Sequence, residues 1–123
     1  MNAADRDLYD QAVAVAAQAH APYSRFHVGA AVRARDGRVF LGVNVENAAY
    51  PLGICAEKAA LSRAVTEGCR SGDLEVIAIT ASPCGGCRQW FVELRLDRVV
   101  YARADVEVVT ATPDELLPDT FDL

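Results

Sequence analysis

The chain has 123 residues, of which 52% are hydrophobic and 24% charged, and it carries a net charge of −5. This balance is typical of a globular protein, and we expect a single domain over residues 1–123. No apolar run approaches the roughly 18 residues of a membrane span. With 12 basic residues against 17 acidic ones and no basic run, we do not expect the chain to bind a nucleic-acid backbone. A small, uncharged ligand fits this charge better.

The first half of the chain is predicted to form a helix, a β-hairpin and a second helix. Leu8 and Ala12 lie on one apolar stripe at helical spacing, which predicts a helix over about residues 4–19. Two strand-like runs, FHVGAAVRA and RVFLGVNV, are joined by an Asp-Gly turn and predict a hairpin. The segment AEKAALSRAVTEG predicts the second helix, which ends at Gly68.

The second half of the chain alternates strands with helices. EVIAIT is a short apolar run of the kind that is buried on both faces of a sheet. Pro83 marks the start of a third helix, and CGGCRQWFVEL continues it. DRVVYA and VEVVT predict two more strands, and ATPDELLPDTFDL predicts a short helix with a tail. This order predicts an α/β fold, a three-layer α/β/α sandwich around a mixed five-stranded sheet.

Three of the four cysteines stand at predicted helix starts. Cys55 begins the second helix, two residues before Glu57, and Cys84 and Cys87 begin the third. Helix N-termini carry partial positive charge, which favours the thiolate form that binds zinc. Three protein ligands would leave one position of a tetrahedral zinc ion open, as in catalytic sites. A carboxylate beside the metal, here Glu57, can then transfer protons.

The same cysteines allow other interpretations. The C-x-x-C pair could be a redox couple, although that leaves Cys55 and Glu57 without a role. A closed structural zinc site would need a fourth ligand, for which Cys69, His20 and His27 are the candidates. Cys69 lies at the far end of the second helix, about 20 Å from its start. A structural zinc-binding module is therefore the alternative outside enzymes.

The N-terminal segment MNAADRDLYD bears on where the protein resides. It is acidic and polar, unlike the basic and apolar start of a secretory signal peptide. We therefore expect a cytoplasmic protein, whose thiols stay reduced. In that compartment, clustered cysteines are more often metal-binding or catalytic than disulfide-bonded.

Four segments of the chain resemble the cytidine deaminases in their small homotetrameric form. They are APYSRFHVGAAV, GVNVENAAYPLGICAE, SPCGGCRQ and ELLPDTF, which together run from Ala21 to Phe121. The resemblance implies hydrolytic deamination of cytidine and 2′-deoxycytidine to uridine and 2′-deoxyuridine, in pyrimidine salvage, by a homotetramer with sites shared between subunits. It implies Zn²⁺ as cofactor, held by Cys55, Cys84 and Cys87, with Glu57 moving protons between the attacking water, N3 and the leaving amine.

The resemblance also implies the residues that bind the nucleoside. Phe26 would pack against the pyrimidine, and Asn44 and Glu46 would hydrogen-bond the ribose 3′-hydroxyl. Ala48 and Tyr50 would reach the site of a neighbouring subunit, near the 5′-hydroxyl.

Three further residues complete the expected site. Phe121 resembles the C-terminal aromatic that closes the pocket from a neighbouring subunit. Lys58 stands where the family commonly has Arg, and with Arg88 it would offset the negative charge of the thiolates. A deaminase of the blasticidin S type shares the metal motif and is the alternative enzyme, although that subfamily departs from the N-V-E-N-A pattern of residues 44–48.

Overall fold

The computed structural model describes residues 1–104 and 106–121. Within these described ranges, five strands and four α-helices follow one another in the predicted order. They are α1 (Ala3–Val15), β1 (Gly29–Ala34), β2 (Val39–Val43), α2 (Ala56–Thr66), β3 (Leu74–Ile79), α3 (Gly85–Glu93), β4 (Arg98–Arg103), β5 (Glu107–Ala111) and α4 (Pro113–Leu116). None of the described helices combines the length and apolar character that crossing a lipid bilayer would require.

The strands form one mixed sheet in the order β2-β1-β3-β4-β5. Strand β1 pairs antiparallel with both β2 and β3, while β3 and β4 pair parallel and β4 and β5 antiparallel. The predicted hairpin is confirmed: β1 and β2 pair from Gly29–Val43 to Arg33–Val39, and Gly37 closes the turn with a φ of 95°. Glycine adopts this left-handed conformation without steric cost.

Helices cover both faces of the sheet, which confirms the predicted three-layer sandwich. On one face, Leu8 and Ala12 of α1 pack with Val76 and Ala78 of β3 and with neighbouring strand residues. The opposite face packs against α2 and α3 and contains the larger core. Its members from the helices and β3 include Ala60, Leu61, Ile77, Ile79 and Phe91. Successive residues of β3 therefore point into two different cores, as its continuous apolar run predicted.

Two glycines let the helices approach the sheet closely. A Cβ on Gly42 of β2 would lie 2.3 Å from the backbone nitrogen of Ala60 in α2. A Cβ on Gly29 of β1 would lie 2.0 Å from the carbonyl oxygen of Ala12 in α1. No side chain fits at either distance, so both positions require glycine.

The topology brings two helix N-termini to one edge of the sheet. Because β2 and β3 are both antiparallel to β1, they run in the same direction and their carboxyl ends lie at the same edge. Helix α2 follows β2, and helix α3 follows β3. Their N-termini therefore converge beside this edge, where α/β folds commonly bind ligands.

A network of charged residues occupies the opposite edge. Asp5 at the start of α1 is 2% exposed, and its carboxylate accepts hydrogen bonds from Arg98 at 2.6 Å and from Arg33 at 2.8 Å. Glu75 also accepts from both arginines, at 3.0 and 3.2 Å. Four residues from one helix and three strands are thus joined by ion pairs.

The boundaries of several elements differ from the prediction. The first helix ends at Val15 and continues as a 3-10 turn over Ala16–Gln18, which the apolar stripe did not distinguish from an α-helix. Pro83 precedes α3, because the capping residue is Cys84. A further 3-10 turn over Tyr50–Leu52 was not predicted. The last two residues of the predicted tail, 122 and 123, lie outside the described residues.

Candidate zinc and nucleoside site

Three thiols meet where α2 and α3 begin. Cys55 is the capping residue of α2 and Cys84 that of α3, while Cys87 lies in the first turn of α3. The Sγ atoms of Cys55 and Cys84 are 3.7 Å apart, and those of Cys84 and Cys87 are 3.4 Å apart. The backbone N–H of Cys87 also donates to Sγ of Cys84 at 3.5 Å. The convergence of the three cysteines expected from the sequence is thus present in the fold.

The spacing and chemistry of the thiols fit a zinc ion. A tetrahedral ion with Zn–S distances of about 2.3 Å separates its sulfur ligands by about 3.8 Å. The three sulfur atoms all lie within 4.8 Å of one another. In residues 1–104 and 106–121, no other His, Cys, Asp or Glu joins this group. The chain therefore supplies three soft ligands and leaves a fourth position open, which is the arrangement of a catalytic zinc site rather than a closed structural one.

The thiols share their protons unequally. Hydrogen bonding from Cys87 and from Cys84 lowers the pKa of Cys55 to about 6, and the charge of Lys58 adds to this effect. The pKa of the Cys87 thiol is raised, because Cys87 is the partner in the bond to Cys55 and is buried. The thiolate form is thus favoured at Cys55 and disfavoured at Cys87.

Glu57 lies in the first turn of α2, beside the thiols, and is 4% exposed. Burial raises the pKa of its carboxyl group to about 7, and the nearby Cys55 contributes to the increase. Desolvation disfavours the charged form of a carboxylate, which explains the direction of the shift.

The side chain of Lys58 lies over the turn that carries Cys84. A Cβ on Gly86 would be 3.3 Å from Nζ of Lys58 and 4.0 Å from Sγ of Cys84. Gly86 thus leaves the space that the ammonium group occupies near the thiols. This placement agrees with the expected role of Lys58 in offsetting thiolate charge.

Arg88 is placed differently from Lys58. Its guanidinium donates to the carbonyl oxygens of Pro83 at 3.0 Å and of Leu116 at 3.1 Å. Its hydrogen bonds thus join the N-terminus of α3 to the end of α4. Neither of these hydrogen bonds joins Arg88 to a thiol, so its role in offsetting thiolate charge stays a prediction.

A cleft of about 680 Å³ opens beside the thiols. Its walls include Cys55, Glu57 and Cys84, here called the metal end. Its walls also include five of the predicted nucleoside-binding residues, here called the sugar end; they are Phe26, Asn44, Glu46, Ala48 and Tyr50. The volume lies within the range of about 300–1,000 Å³ that small-molecule sites occupy.

Asn44 and Glu46 are already hydrogen-bonded to the backbone. The amide oxygen of Asn44 accepts from the Val28 N–H at 2.8 Å, and its amide nitrogen donates to the Phe26 carbonyl at 2.9 Å. The carboxylate of Glu46 accepts from the N–H groups of Tyr23 at 3.0 Å and Ser24 at 3.1 Å. Both side chains therefore hold residues 23–28, in addition to facing the cleft.

Ser24 and Tyr23 are among the residues of the cleft wall that were not singled out from the sequence. Ser24 donates its hydroxyl hydrogen to Glu46, and the same oxygen accepts from the Phe26 N–H at 3.0 Å. Tyr23 lines the cleft beside it. The segment APYSRF, which contributed to the resemblance, contains both, but spacing alone does not show which of its side chains face the cleft.

Three aromatic side chains predicted to contact the nucleoside are exposed. Tyr50 is 91% exposed and Phe26 50% exposed. Phe121 is 72% exposed and is not among the described residues that line the cleft of this chain.

The residues considered for a closed zinc site lie elsewhere. Cys69 is buried in the larger core, where Nη2 of Arg38 contacts its Sγ at 3.5 Å. His20 pairs through its backbone with Asn44 and Glu46. Neither Cys69 nor the two histidines belong to the metal-binding group formed by the described residues.

The open three-thiol site has the ligand set of a catalytic zinc centre, and comparison with known proteins identifies the family. The family model described as "Cytidine and deoxycytidylate deaminase zinc-binding region" matches residues 2–103. The chain is 43% identical to the cytidine deaminase of Halalkalibacterium halodurans, over 93% of this chain and 91% of that protein. It is 44% identical to a probable cytidine deaminase of Dictyostelium discoideum, over 84% of this chain and 74% of that protein.

A solved structure is similar over almost the whole chain. The crystal structure of cytidine deaminase from Burkholderia pseudomallei superposes with a TM-score of 0.89 at 41% identity, covering 98% of this chain and 100% of the other. The chain belongs to the cytidine and deoxycytidylate deaminase family. The family and the three-thiol group together make zinc the cofactor of this site.

Proposed function

We propose that this protein deaminates cytidine and 2′-deoxycytidine by hydrolysis, releasing ammonia and forming uridine or 2′-deoxyuridine. The observation that carries the proposal is the buried Glu57 beside three converging thiols, in the wall of a cleft of nucleoside size. Similarity to proteins named cytidine deaminase supports the choice of substrate.

Cys55, Cys84 and Cys87 would hold the zinc ion. When bound, zinc acts as a Lewis acid that allows a water molecule to become a nucleophile near neutral pH. Lys58 lies close enough to offset part of the negative charge of three thiolates.

Glu57 would carry the protons of the reaction. The attacking water adds to C4 of the base, while the carboxylate takes a proton from the water and passes it to N3. Glu57 then transfers the remaining proton of that water, from the new hydroxyl group on C4, to the exocyclic amine, the C4–N bond breaks and ammonia leaves. The oxygen of the water remains as O4 of uridine. The position of Glu57, buried next to the thiols, suits this exchange because bulk water cannot compete for the proton.

The charge of the cleft supports a nucleoside over a nucleotide. Among the described residues that line the cleft, the charged ones are Glu46 and Glu57, and both are acidic. A 5′-phosphate would need a cationic partner, and neither charged residue of the described wall is cationic. We therefore expect cytidine 5′-monophosphate to be a poor substrate.

The sugar end of the cleft would recognise hydroxyl groups. A carboxylate offers about four acceptor positions, of which Glu46 uses three within the chain. Asn44 retains one N–H and one lone pair beyond its two backbone bonds. Both can therefore contact the ribose 3′-hydroxyl without releasing the backbone, while Phe26 packs against the base.

We propose a homotetramer in which subunits complete one another's sites. The exposed aromatic side chains of Tyr50, in the cleft wall, and Phe121, outside it, support this assembly, because contact with neighbouring subunits would cover them. In such an assembly Ala48 and Tyr50 would reach a neighbour's site near the 5′-hydroxyl, and Phe121 would close a neighbour's pocket over the base.

We propose that residues 1–123 form one catalytic domain.

The cellular setting follows from the proposed chemistry. Zinc binding needs reduced thiols, and the four cysteines are free, which supports a reducing compartment such as the cytoplasm. Converting cytidine to uridine there would serve pyrimidine salvage.

A substrate panel tests the proposed activity. Deamination is followed by the loss of cytidine absorbance, using cytidine, 2′-deoxycytidine, blasticidin S and cytidine 5′-monophosphate. We expect the two nucleosides to react much faster than the other two compounds. A protein that binds zinc but deaminates none of them would instead be a structural zinc module.

A further inference from the structure

We propose that Ser24 is a positioning residue that fixes Phe26 against the base. Residues 23–28 are here called the Phe26 turn. The inference rests on the proposed function, because it assigns a role in nucleoside binding to the same cleft.

Both backbone polar groups of Phe26 are held by side chains. Its N–H donates to the Ser24 hydroxyl oxygen at 3.0 Å, and its carbonyl oxygen accepts from the Asn44 amide at 2.9 Å. The backbone of Phe26 is therefore fixed from two sides, although its side chain is half exposed. The direction of an aromatic side chain follows from the backbone that carries it.

Ser24 is itself anchored to Glu46, in the loop after β2. Its hydroxyl donates to the Glu46 carboxylate, which also accepts from the Tyr23 and Ser24 N–H groups. A hydroxyl has one donor hydrogen, and this bond directs the lone pairs of Ser24 towards Phe26. Glu46, Ser24 and Phe26 thus form a continuous chain of hydrogen bonds across 22 positions of sequence.

The residue between Ser24 and Phe26 makes this anchoring necessary. Arg25 has a φ of 61°, in the left-handed region that favours glycine. Its N–H donates to the Ala21 carbonyl at 2.9 Å. Such a conformation persists only where surrounding contacts impose it. Without the Ser24 hydroxyl, the turn can relax and Phe26 loses its fixed position.

The inference predicts which kinetic constant changes. Ser24 touches neither the thiols nor Glu57 in the described hydrogen bonds, so the chemical step is unaffected. Losing a preorganised base contact weakens nucleoside binding instead. We expect Ser24→Ala to raise KM about tenfold with little change in kcat, since the lost hydrogen bond joins a charged acceptor. Ser24→Thr keeps the hydroxyl and should restore most of the binding.

A double-mutant cycle separates this role from a general structural one. Zinc-loaded enzyme carrying Ser24→Ala, Phe26→Ala or both is compared in kcat/KM for cytidine, with the surface variant Ser71→Ala as control. If Ser24 acts through Phe26, Ser24→Ala changes kcat/KM by less than about twofold once Phe26 is gone. A full tenfold loss in the Phe26→Ala background, or an unchanged KM in Ser24→Ala alone, would overturn the inference.

Limited proteolysis provides a readout that does not depend on activity. Trypsin cleaves after arginine, and Arg25 is exposed in the turn. We expect cleavage after Arg25, identified by mass spectrometry, to be faster in Ser24→Ala than in wild type or Ser24→Thr. Equal rates in all three proteins would show that Ser24 does not hold the turn. A wild-type protein that is inactive on cytidine would refute the proposed function, whereas the proteolysis result would still decide whether Ser24 orders the turn.

Discussion

The two ends of the cleft are built in different ways. At the metal end, the three thiols and Glu57 come from helix N-termini, and the carboxylate and one thiol are buried. At the sugar end, Asn44 and Glu46 come from a loop after β2 and hold another loop in place. The metal end is thus fixed by the packing of two helices on the sheet, whereas the sugar end depends on hydrogen bonds between loops.

This difference separates the residues expected to carry out the reaction from the residues expected to bind the nucleoside. Substitutions at the metal end should remove the reaction while leaving the cleft able to accept a nucleoside. Substitutions at the sugar end should weaken binding while leaving zinc and proton transfer intact. A site built on rigid elements can hold its reacting groups closely, and loops can vary to suit the substrate.

The largest effect is expected from removing a zinc ligand. Cys84→Ala leaves two thiols, so the protein should lose its zinc and all measurable deamination. Because the metal joins α2 to α3, the temperature of unfolding should also fall. Zinc content by elemental analysis, cytidine turnover and thermal melting measure the three effects.

Cys69→Ala is the matched control for that substitution. Cys69 is buried and lies outside the thiol group, so the variant should keep its zinc and activity and lose only about 1 kcal/mol of stability. An equal loss of zinc from both variants would mean that the cluster of Cys55, Cys84 and Cys87 is not the metal site.

Removing the proton carrier should separate metal binding from turnover. Glu57→Gln keeps the shape of the side chain but cannot take a proton, so kcat should fall about 10²- to 10⁴-fold. Zinc content and thermal stability should stay close to wild type. Near-normal turnover in this variant would remove Glu57 from the proposed role.

A smaller effect is expected from the cation beside the thiols. Lys58→Met removes a positive charge near Cys84 and Cys55, and should weaken zinc affinity about tenfold. Competition with a chelator of known affinity measures the change, and Lys58→Arg is the control that keeps the charge. If Met and Arg variants bind zinc equally well, charge at this position does not stabilise the thiolates.

Asp5, at the edge of the sheet opposite the cleft, should affect stability without affecting the reaction. Hydrogen bonds from Arg98, with further bonds from Arg33, hold the pKa of Asp5 below its ordinary value. Stability from this carboxylate is therefore present at neutral pH and is lost as the pH falls below about 4. Asp5→Asn should cost about 3 kcal/mol at pH 7, because Arg98 and Arg33 lose the buried carboxylate that they pair with, and less at pH 3.

Urea denaturation at pH 7, 5 and 3 measures this difference, with cytidine turnover at pH 7 as the comparison. A penalty of equal size at all three pH values would contradict the ion-pair origin of the effect. A kcat of folded Asp5→Asn far below that of wild type would also contradict this account, because Asp5 would then influence the site.

The metal end could be predicted from the sequence largely because its signals are local. Each capping cysteine stands directly before a helical pattern, and Cys84 and Cys87 are separated by less than one helical turn. The mixed sheet also followed from local patterns, since β3 is continuously apolar and the Asp36-Gly37 pair closes the hairpin. The pairing of β1 with β3, however, depends on contacts distant in sequence and was not specified.

The hydrogen bonds of the sugar end were less predictable, because they join residues that are distant in sequence. The carboxylate of Glu46 and the backbone of Tyr23 are 23 positions apart, and no local pattern signals their hydrogen bond. The resemblance predicted Asn44 and Glu46 as nucleoside contacts, but their bonds to the Phe26 turn and the participation of Ser24 required the fold. The 3-10 turn at Tyr50–Leu52 likewise has no periodic signal in three residues.

Zinc-dependent turnover of cytidine tests the account most directly. The wild-type protein is purified under reducing conditions, its zinc is measured per chain, and cytidine deamination is followed before chelation, after chelation and after zinc is restored. We expect one zinc ion per chain, loss of activity with the metal and recovery when zinc is returned. A metal-free protein that deaminates cytidine at the full rate would contradict the account.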